Sequence, residues 1–221
     1  MNNNYLKLLK LIFKKNSLLR VLQIYECLNI VLHGTSIEFG AIDNKDKTFS
    51  NFVKGKSKFH YSNKISNQKL KVFYSDLTKK LNIPSKKYNN VLFFNILEHL
   101  PEYKLAFSEI YRIMKKGGFF FGSVPFIYQI HAAPNDYFRF SKQFLESNLK
   151  KYGFKKAKVK ALGFGPFTAS YSLLWPYLKY LSLLSQICLL IAYILDSFIQ
   201  IFVKTDLKEI FPVGYFFITK K

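Results

Sequence analysis

The fold is decided by a stretch near the middle of the chain, VLFFNILEHL at residues 91–100. Its first four residues are continuously apolar, which is typical of a strand covered on both faces in a parallel sheet. The stretch then becomes polar at Asn95 and reaches Glu98 and His99. Ligands of such sheets bind outside the carboxyl ends of the strands, so these polar residues mark a predicted binding site.

The residues after this strand predict a helix and a further strand. Pro101 suits the first position of a helix, and Lys115-Lys116-Gly117-Gly118 provides the cations and the glycine that favour a helix end. Phe119 to Val124 is apolar and predicts the next strand. Strands that alternate with helices predict right-handed crossovers and a doubly wound α/β sheet.

Similar signals on both sides extend this pattern. Further strands are predicted at Ser36 to Gly40, Phe59 to Tyr61, Val72 to Tyr74, Ala157 to Leu162 and Tyr215 to Thr219. Helices are predicted within Tyr5 to Leu32, over Phe49 to Val53 and over Lys142 to Lys151.

The composition indicates a folded domain with an anionic partner. The chain has 221 residues, of which 49% are hydrophobic, and this excludes a disordered protein. The 34 Lys and Arg residues against 13 Asp and Glu residues give a net charge of +21, which favours nucleic acid, acidic lipid or a phosphorylated substrate. Codon drift in an AT-rich genome explains the same enrichment in Lys, Asn and Ile equally well.

Nucleic acid is the least favoured of these partners. Only Arg20, Arg112 and Arg139 are arginines, the residue type that reads phosphate and guanine with a bidentate fork. The lysines are dispersed along the chain, and there is no Asn/Asp-Pro-Pro-aromatic motif for the amine of a flipped base. An acidic lipid and a small substrate therefore remain as the favoured anionic partners.

Neither a metal site nor a disulfide framework is expected. Cys27 and Cys188 each lie in an apolar stretch without a second Cys or His at metal-ligand spacing, so both are predicted to be buried thiols. Residues 1–15 lack the long apolar run and the cleavage site of a signal peptide. We therefore expect a cytoplasmic protein.

An apolar segment in the C-terminal third raises the question of a membrane. Between Leu181 and Val203 only Asp196 is charged, and a run of this length can cross a bilayer. A single crossing would place the strand Tyr215 to Thr219 on the opposite side from the sheet that it should complete. A single crossing is therefore disfavoured.

Two arrangements of the whole insert, Phe167 to Val203, remain open. It can lie in one leaflet, or dip into it and return, with Trp175, Tyr177 and Tyr180 at the interface and nearby lysines on anionic headgroups. It can instead form a hydrophobic cap that packs in a homodimer. Membrane contact is favoured, because the exposed apolar area would be unusually large for a soluble monomer.

Four motifs follow one another along the central part of the chain. They are Glu38-Phe39-Gly40 after the first strand, Asp76 after the third, Asn95 to Leu100, and Glu109 to Gly118. In this order they resemble the class I S-adenosylmethionine-dependent methyltransferases, and the last two are closest to the type 11 small-molecule branch. The resemblance covers about residues 36–154 and the last strand.

The resemblance implies a fold, an activity and a cofactor. The fold would be α/β and Rossmann-like, with a mostly parallel seven-stranded sheet and helices on both faces, formed by residues 34–166 and 204–221. The activity would be methyl transfer from S-adenosylmethionine to a small or lipid-linked acceptor. Outside the resemblance, the sequence pattern predicts basic amphipathic helices in residues 1–33 and the apolar helical insert in residues 167–203, before the last strand, and the insert favours a location at the inner face of the cytoplasmic membrane.

The resemblance also assigns five residues to the cofactor. Glu38 and Gly40 would hold its methionine part, Asn63 its ribose and Asp76 its adenine amino group, while Asn95 would close the pocket. Asp76 has a local alternative, because aspartate also favours the cap of a helix, here one that starts at the next residue.

The cofactor loop departs from the family pattern. Its acidic-x-Gly-x-Gly sequence becomes Glu38-Phe39-Gly40-Ala41-Ile42, which loses the second glycine, and Ser62-Asn63 replaces the usual acid of the second strand. A neutral hydrogen bond would replace a charged bidentate one, so weaker cofactor binding is expected. The alternative function is a catalytically impaired protein of this fold that acts as a membrane-associated interaction module.

The acceptor is predicted to bind near the run of residues 131–141. His131, Tyr137 or His99 can take a proton from the acceptor, and Asp136 and Arg139 are the candidates for binding it, Arg139 through an anionic group. Structural roles are equally open. Asp136 and Arg139 can pair and brace the loop, with the serine at position 141 capping the next helix, and His99 can orient the loop that follows it.

Overall fold

The strands of the protein form one seven-stranded sheet. The computed structural model describes residues 11, 16–41, 48–64, 72–132 and 134–221. The strands are β1 (Gly34–Phe39), β2 (Ser57–Asn63), β3 (Val72–Tyr74), β4 (Tyr88–Phe94), β5 (Met114–Pro125), β6 (Lys155–Leu162) and β7 (Gly214–Lys220). Their order in the sheet is β3-β2-β1-β4-β5-β7-β6, so the predicted Rossmann-like architecture is confirmed.

The helices follow the predicted pattern in the described part of the chain. They are α1 (Leu18–Cys27), α2 (Tyr103–Ile113), α3 (Lys142–Lys151), α4 (Pro166–Leu178), α5 (Ser182–Phe202) and α6 (Leu207–Ile210), with 3-10 helices at Phe49–Phe52 and Leu97–His99. The first half of the predicted N-terminal helical segment lies outside the described residues. Ser141 caps α3, since its side chain accepts a hydrogen bond from the N–H of Phe144.

Parallel pairing brings the carboxyl ends of five strands to one edge. β1 pairs in parallel with β2 and β4, β2 with β3, and β4 with β5. In this register Glu38 of β1 lies beside Tyr61 of β2 and Leu92 of β4. The loops after these strands therefore meet at one edge of the sheet, which is where such folds bind ligands.

Aromatic side chains fill the core of this sheet. Phe93, Phe107, Phe120 and Phe217 have no exposed surface. The ring of Phe120 lies 5.9 Å from that of Phe93 and 5.1 Å from that of Phe217, both edge to face. Each such side chain stabilises the fold by roughly 1.5–3 kcal/mol through burial alone, which holds the strand ends in fixed positions.

Two predicted boundaries around α2 were wrong. The helix begins at Tyr103 rather than at Pro101, and β5 already begins at Met114, so residues 115–118 belong to the strand rather than to the helix end. Met114 is fully buried and pairs with Tyr88, and the register then shifts before Asn90. Burial of the methionine thus ends the helix earlier than the cations and glycines predict.

The chain divides into two compact units. The sheet unit comprises Cys27–Val124, His131–Lys160 and Phe216–Lys221. The helical unit comprises Met1–Glu26, Pro125–Ile130 and Ala161–Tyr215. The candidate site residues all belong to the sheet unit, and α4 and α5 belong to the helical unit. The domain bounds given by the sequence stay a prediction.

Within the helical unit, a buried carboxylate joins α4 and α5. Asp196 of α5 is 1% exposed. Its oxygens accept hydrogen bonds from the N–H groups of Phe167 and Thr168, at 2.9 Å each, and from the Thr168 hydroxyl at 2.7 Å. An acidic group at the first turn of a helix satisfies free N–H groups and complements the helix dipole. The single charge of the apolar run therefore has a structural role.

The polarity of α5 is reversed relative to that of an ordinary surface helix. Its buried positions include Ser185, Ala192 and Asp196. Its exposed positions carry large apolar side chains: Leu183, Leu184, Ile187, Leu190, Ile191, Ile194, Phe198, Ile201 and Phe202. The span Leu183–Phe202 has a mean hydropathy of 1.7 and is 17% buried, and by length and composition it is long enough to cross a membrane.

Candidate functional site

The loops after β1 and β4 meet closely at the carboxyl edge of the sheet. Gly40 follows β1 with φ +70°, and a Cβ atom at this position would lie 3.0 Å from Cδ1 of Ile96. Asn95, directly after β4, also has a positive φ, of 52°, and its N–H donates to the carbonyl of Ser123. Such left-handed backbone is rare outside glycine and often marks a functional loop.

Glu38 holds the loop that follows β1. The carboxylate is buried, and its two oxygens accept hydrogen bonds from the N–H groups of Phe49 at 2.7 Å and Ser50 at 2.9 Å. These bonds fix the start of the 3-10 helix at Phe49–Phe52. The carboxylate therefore holds backbone groups of the loop, and its contact with the methionine part of the cofactor stays a prediction.

Asn63 connects the ends of β2 and β1. Its side-chain amide donates to the carbonyl of Ala41 at 2.8 Å, and its Oδ1 accepts from the N–H of Lys64 at 2.7 Å. Its backbone carbonyl accepts from the N–H of Ser75 at 2.9 Å. The loops carrying Gly40, Asn63, Asp76 and Asn95 therefore form one continuous row.

Asp76 uses one of its oxygens locally. Oδ1 accepts from the N–H and from the hydroxyl of Thr78, at 3.0 and 2.7 Å, and these hydrogen bonds lower the pKa of the carboxyl. The predicted helix start at Leu77 was wrong, because residues 77–79 form a turn. The local bonds orient the carboxylate and leave Oδ2 outside them.

An internal ion pair braces the loop after β5. Arg139 donates to both oxygens of Asp136, to Oδ1 from Nη1 and to Oδ2 from Nη2 at 2.8 Å, and the backbone N–H of His131 donates to Oδ2 at 2.9 Å. The guanidinium and this N–H hold the pKa of Asp136 well below its usual range. The bracing alternative is thus present in the structure, while the acceptor-binding roles of both residues stay predictions.

Glu98 is the least compensated carboxylate of this edge. Its side chain has no exposed surface, and neither oxygen has a hydrogen-bond partner. Two imidazole nitrogens lie within 4 Å of Oε1. Oε1 lies 3.8 Å from Nε2 of His99 and 3.5 Å from Nε2 of His131.

The two histidines are held from their opposite sides. Nδ1 of His99 lies 2.6 Å from the carbonyl of Asn135, so Nδ1 carries a proton, and in a neutral ring the lone pair is then on Nε2. Nδ1 of His131 lies 3.2 Å from Oδ2 of Asp136. The rings are 4.9 Å apart, and their side chains are 12% and 29% exposed, so both are reachable from solvent.

Tyr137 is joined to this group through its backbone. Its backbone N–H donates to the carbonyl of Glu98 at 2.8 Å, and its hydroxyl accepts from the side chain of Asn135 at 2.9 Å. The structure therefore brings His99 and His131 together and holds Tyr137 on the same loop.

Glu98 is the site residue to which the sequence analysis gave no role of its own. Its signal was its position next to His99, after a buried strand. Its importance depends on His131, which is more than thirty positions further along the chain. Only the folded chain shows that the three side chains meet.

Comparison with known proteins identifies the domain. Residues 51–122 match the family model of a methyltransferase domain. No curated protein gives a significant match. The matched segment runs from the first 3-10 helix to β5, and so includes β4, the loop with Glu98 and His99, and α2.

Solved structures agree with this match at the level of the fold. A possible histamine N-methyltransferase from Thermotoga maritima superposes with a TM-score of 0.56 at 14% identity, covering 99% of this chain and 96% of that one. A methyltransferase from Archaeoglobus fulgidus gives 0.53 at 14% identity, covering 85% and 86%.

A larger relative shows the same fold. Phosphoethanolamine N-methyltransferase 2 from Haemonchus contortus, solved with S-adenosyl-L-methionine, gives a TM-score of 0.56 at 14% identity. The match covers 90% of this chain and 52% of that enzyme, so this chain spans about half of its length. The domain match and the shared fold confirm the resemblance to class I S-adenosylmethionine-dependent methyltransferases.

Proposed function

We propose that this protein transfers the methyl group of S-adenosylmethionine to a small or lipid-linked acceptor at the inner face of the cytoplasmic membrane. The observation that carries the proposal is the continuous row of loops at the carboxyl edge of the sheet, within and beside the matched methyltransferase domain. The class of the acceptor and the contact with the membrane are the two parts of the proposal that the match to a methyltransferase domain does not cover.

The residues of the loop row fit the cofactor. Gly40 and Asn95 both adopt left-handed backbone, the glycine allows β1 and the Ile96 side chain to approach closely, and Asp76 keeps Oδ2 for the adenine amino group. S-adenosylmethionine supplies an electrophilic methyl group when bound. Glu38 and Asn63 support the loops through hydrogen bonds to backbone groups, and their contribution to binding is therefore indirect.

The acceptor would meet the loop after β5. Methyl transfer requires the chain to align the acceptor, to exclude water and, for a hydroxyl or amine, to accept a proton. His99 keeps a lone pair on Nε2 for this purpose, His131 lies beside it, and Tyr137 is on the same loop. Arg139 shares its charge with Asp136, so an anionic acceptor would compete with this pair.

Membrane contact is supported by the reversed polarity of α5. A helix that buries serine and aspartate and exposes leucine, isoleucine and phenylalanine needs an apolar partner outside the unit. Interface side chains are present in and directly after α4, where Lys179 lies over the rings of Trp175 and Tyr180 at 5.3 and 5.0 Å. With β7 in the sheet, α5 would lie in one leaflet rather than cross.

Cofactor binding is tested by calorimetry with S-adenosylmethionine and S-adenosylhomocysteine. Replacement of Asp76 by alanine should weaken binding by about 1–3 kcal/mol, the scale for one hydrogen bond to a ligand. Thr78→Val is the matched control, because it removes the local hydroxyl bond and keeps the carboxylate. If both variants change only stability, Asp76 has a local role.

The second candidate function is the impaired interaction module. It is favoured by the lost second glycine and by the neutral Asn63 in the place of the usual acid. The same calorimetry separates the two. No binding of either ligand at millimolar concentration would favour the module and overturn the enzyme.

Membrane contact is tested by flotation with vesicles that contain anionic lipid. The wild-type protein should float, and replacement of Leu190 and Ile194 by glutamate should abolish flotation while leaving the fold intact, because both side chains are more than half exposed. Ser197→Glu adds charge at an exposed polar position of the same helix and is the control. A monodisperse dimer that ignores the vesicles would favour the homodimer through the insert.

A further inference from the structure

We propose that Glu98, His99 and His131 bind a divalent transition-metal ion. One carboxylate oxygen and one nitrogen of each imidazole lie within 4.8 Å of one another. The proposal concerns metal binding by this chain, goes beyond the methyl transfer proposed above, and does not depend on it. It departs from the sequence-based expectation of no metal, which considered only the surroundings of the cysteines.

The distances fit a shared ion better than direct hydrogen bonds. A hydrogen-bonded N···O pair is about 2.7–3.2 Å long. The carboxylate oxygen of Glu98 lies 3.5 and 3.8 Å from the two imidazole nitrogens, beyond that range. Two ligands about 2.1 Å from one ion at a tetrahedral angle are about 3.4 Å apart, which is close to the two separations that involve Glu98. The cluster as a whole extends to 4.8 Å, so the two imidazoles would have to approach each other when an ion binds.

The burial of Glu98 requires a positive partner. A carboxylate with no exposed surface and no hydrogen bond is costly unless a cation compensates its charge. Arg139 is close enough for Glu98 to contribute to the raised pKa of its guanidinium, and it donates hydrogen bonds to Asp136 and to the carbonyl of Phe138, whereas neither oxygen of Glu98 accepts one. With both imidazoles neutral, as metal ligands must be, Arg139, Asp136 and Glu98 together leave a net negative charge, which suits a divalent cation.

The surroundings orient the imidazoles as metal ligands. In metal sites, the ring nitrogen that does not bind the ion is usually held by a carbonyl or a carboxylate. Nδ1 of His99 is hydrogen-bonded to the carbonyl of Asn135. Nδ1 of His131 lies 3.2 Å from the carboxylate of Asp136, outside hydrogen-bond geometry but close enough for this carboxylate to hold the ring once an ion binds. Both rings thus direct Nε2 to the side where Glu98 lies.

The ligand set selects the class of ion. Imidazole favours Zn²⁺, Fe²⁺, Co²⁺ and similar ions, whereas Mg²⁺ prefers oxygen ligands and its own water. Three protein ligands leave at least one coordination position open. If the chain is a methyltransferase as proposed, this position can hold an oxygen of the acceptor, and the histidines then hold the ion instead of taking the proton.

The experiment is a titration of untagged, chelator-treated protein with Zn²⁺, and separately with Mg²⁺, in the absence of cofactor. One Zn²⁺ should bind per chain with micromolar or tighter affinity, and Mg²⁺ should not compete. Glu98→Gln and His131→Asn should each weaken Zn²⁺ binding at least tenfold, with His33→Asn as the histidine control. Co²⁺-loaded protein should show d–d absorption without a thiolate charge-transfer band.

Three results would overturn the site. They are no binding of Zn²⁺, binding that survives the Glu98 and His131 substitutions, and a thiolate band that places the ion at a cysteine. His99→Asn provides a further variant if one of the others fails to fold. Titration of the chelated protein with S-adenosylhomocysteine is a separate readout, so failure of the methyltransferase proposal is distinguishable from failure of the metal proposal.

Discussion

Two buried carboxylates, one in each unit, have opposite surroundings. Asp196 is 1% exposed and accepts three hydrogen bonds from the first turn of α4. Glu98 is 0% exposed, accepts no hydrogen bond, and faces two imidazoles. Removal of either charge from water is costly, so each needs compensation. Hydrogen bonds within the fold compensate the charge of Asp196, whereas the metal ion proposed above would compensate the charge of Glu98.

Other buried carboxylates of the sheet unit resemble Asp196. Glu38 accepts from two backbone N–H groups. Glu109 accepts from the N–H of Leu81 and from Arg112, and the guanidinium lowers the pKa of the carboxyl. The comparison teaches that burial of an acid is not by itself a functional sign. Burial without donors is the informative feature.

The largest effect is expected at Asp196. Asp196→Ala leaves two N–H groups and a hydroxyl without their acceptor, and should lower the free energy of unfolding by about 3 kcal/mol. Urea unfolding at neutral pH measures the loss. Ser197→Ala, at an exposed position of the same helix, should be nearly neutral. A small loss at Asp196 would contradict its structural role.

The next effect depends on pH and concerns the Asp136–Arg139 pair. Because the folded state lowers the pKa of Asp136, its charge stabilises the fold above the ordinary carboxyl pKa of about 4, and this stabilisation is lost as the pH falls. Asp136→Asn should therefore cost about 2 kcal/mol at pH 7 and progressively less below about pH 4. Urea unfolding of both proteins across this range measures the difference. A constant difference would contradict the pairing.

A smaller effect is expected at Asn63, where the structure and the family pattern predict different results for the same substitution. From the family pattern, Asn63→Asp should tighten S-adenosylhomocysteine about tenfold through a charged ribose contact. The structure has the amide of Asn63 donating to the carbonyl of Ala41, and a carboxylate cannot donate there. We expect a stability loss of about 1 kcal/mol and no tightening, measured by urea unfolding and calorimetry. A tenfold tightening would show that this side chain turns to the ribose.

The smallest change in stability is expected at Glu98. Glu98→Gln removes a buried charge that no donor satisfies, so the chelated protein should lose less than about 1 kcal/mol or gain stability. Glu109→Gln is the matched control and should cost about 2 kcal/mol, because Arg112 loses its charged partner. A loss at Glu98 as large as that at Asp196 would mean that the fold already compensates this charge.

Elements with a clear local pattern could be predicted from the sequence. The apolar run at residues 91–94 lies within β4, the Ser141 cap begins α3, and the last strand is β7. The ends of α2 could not be predicted, because burial and pairing of Met114 outweigh the local signals of Pro101 and the following glycines.

The candidate site was only partly predictable. The sequence selected Gly40, Asn95, His99 and His131 because each follows a predicted strand of a familiar family pattern. It left open whether Asp136 and Arg139 bind a ligand or each other, since a motif does not give distances. The structure contains their pair, and the roles of all these residues in binding and catalysis stay predictions.

The sequence by itself determined the fold class, because the hydrophobic period, the turn residues and the family motifs are local properties that can be recognised without knowing the folded structure. It also determined that the segment before the last strand is apolar. Only the tertiary structure decided which way that segment faces, and that Asp196 is compensated while Glu98 is not. Compensation of a buried charge depends on atoms that are distant in sequence, and these meet only when the chain is folded.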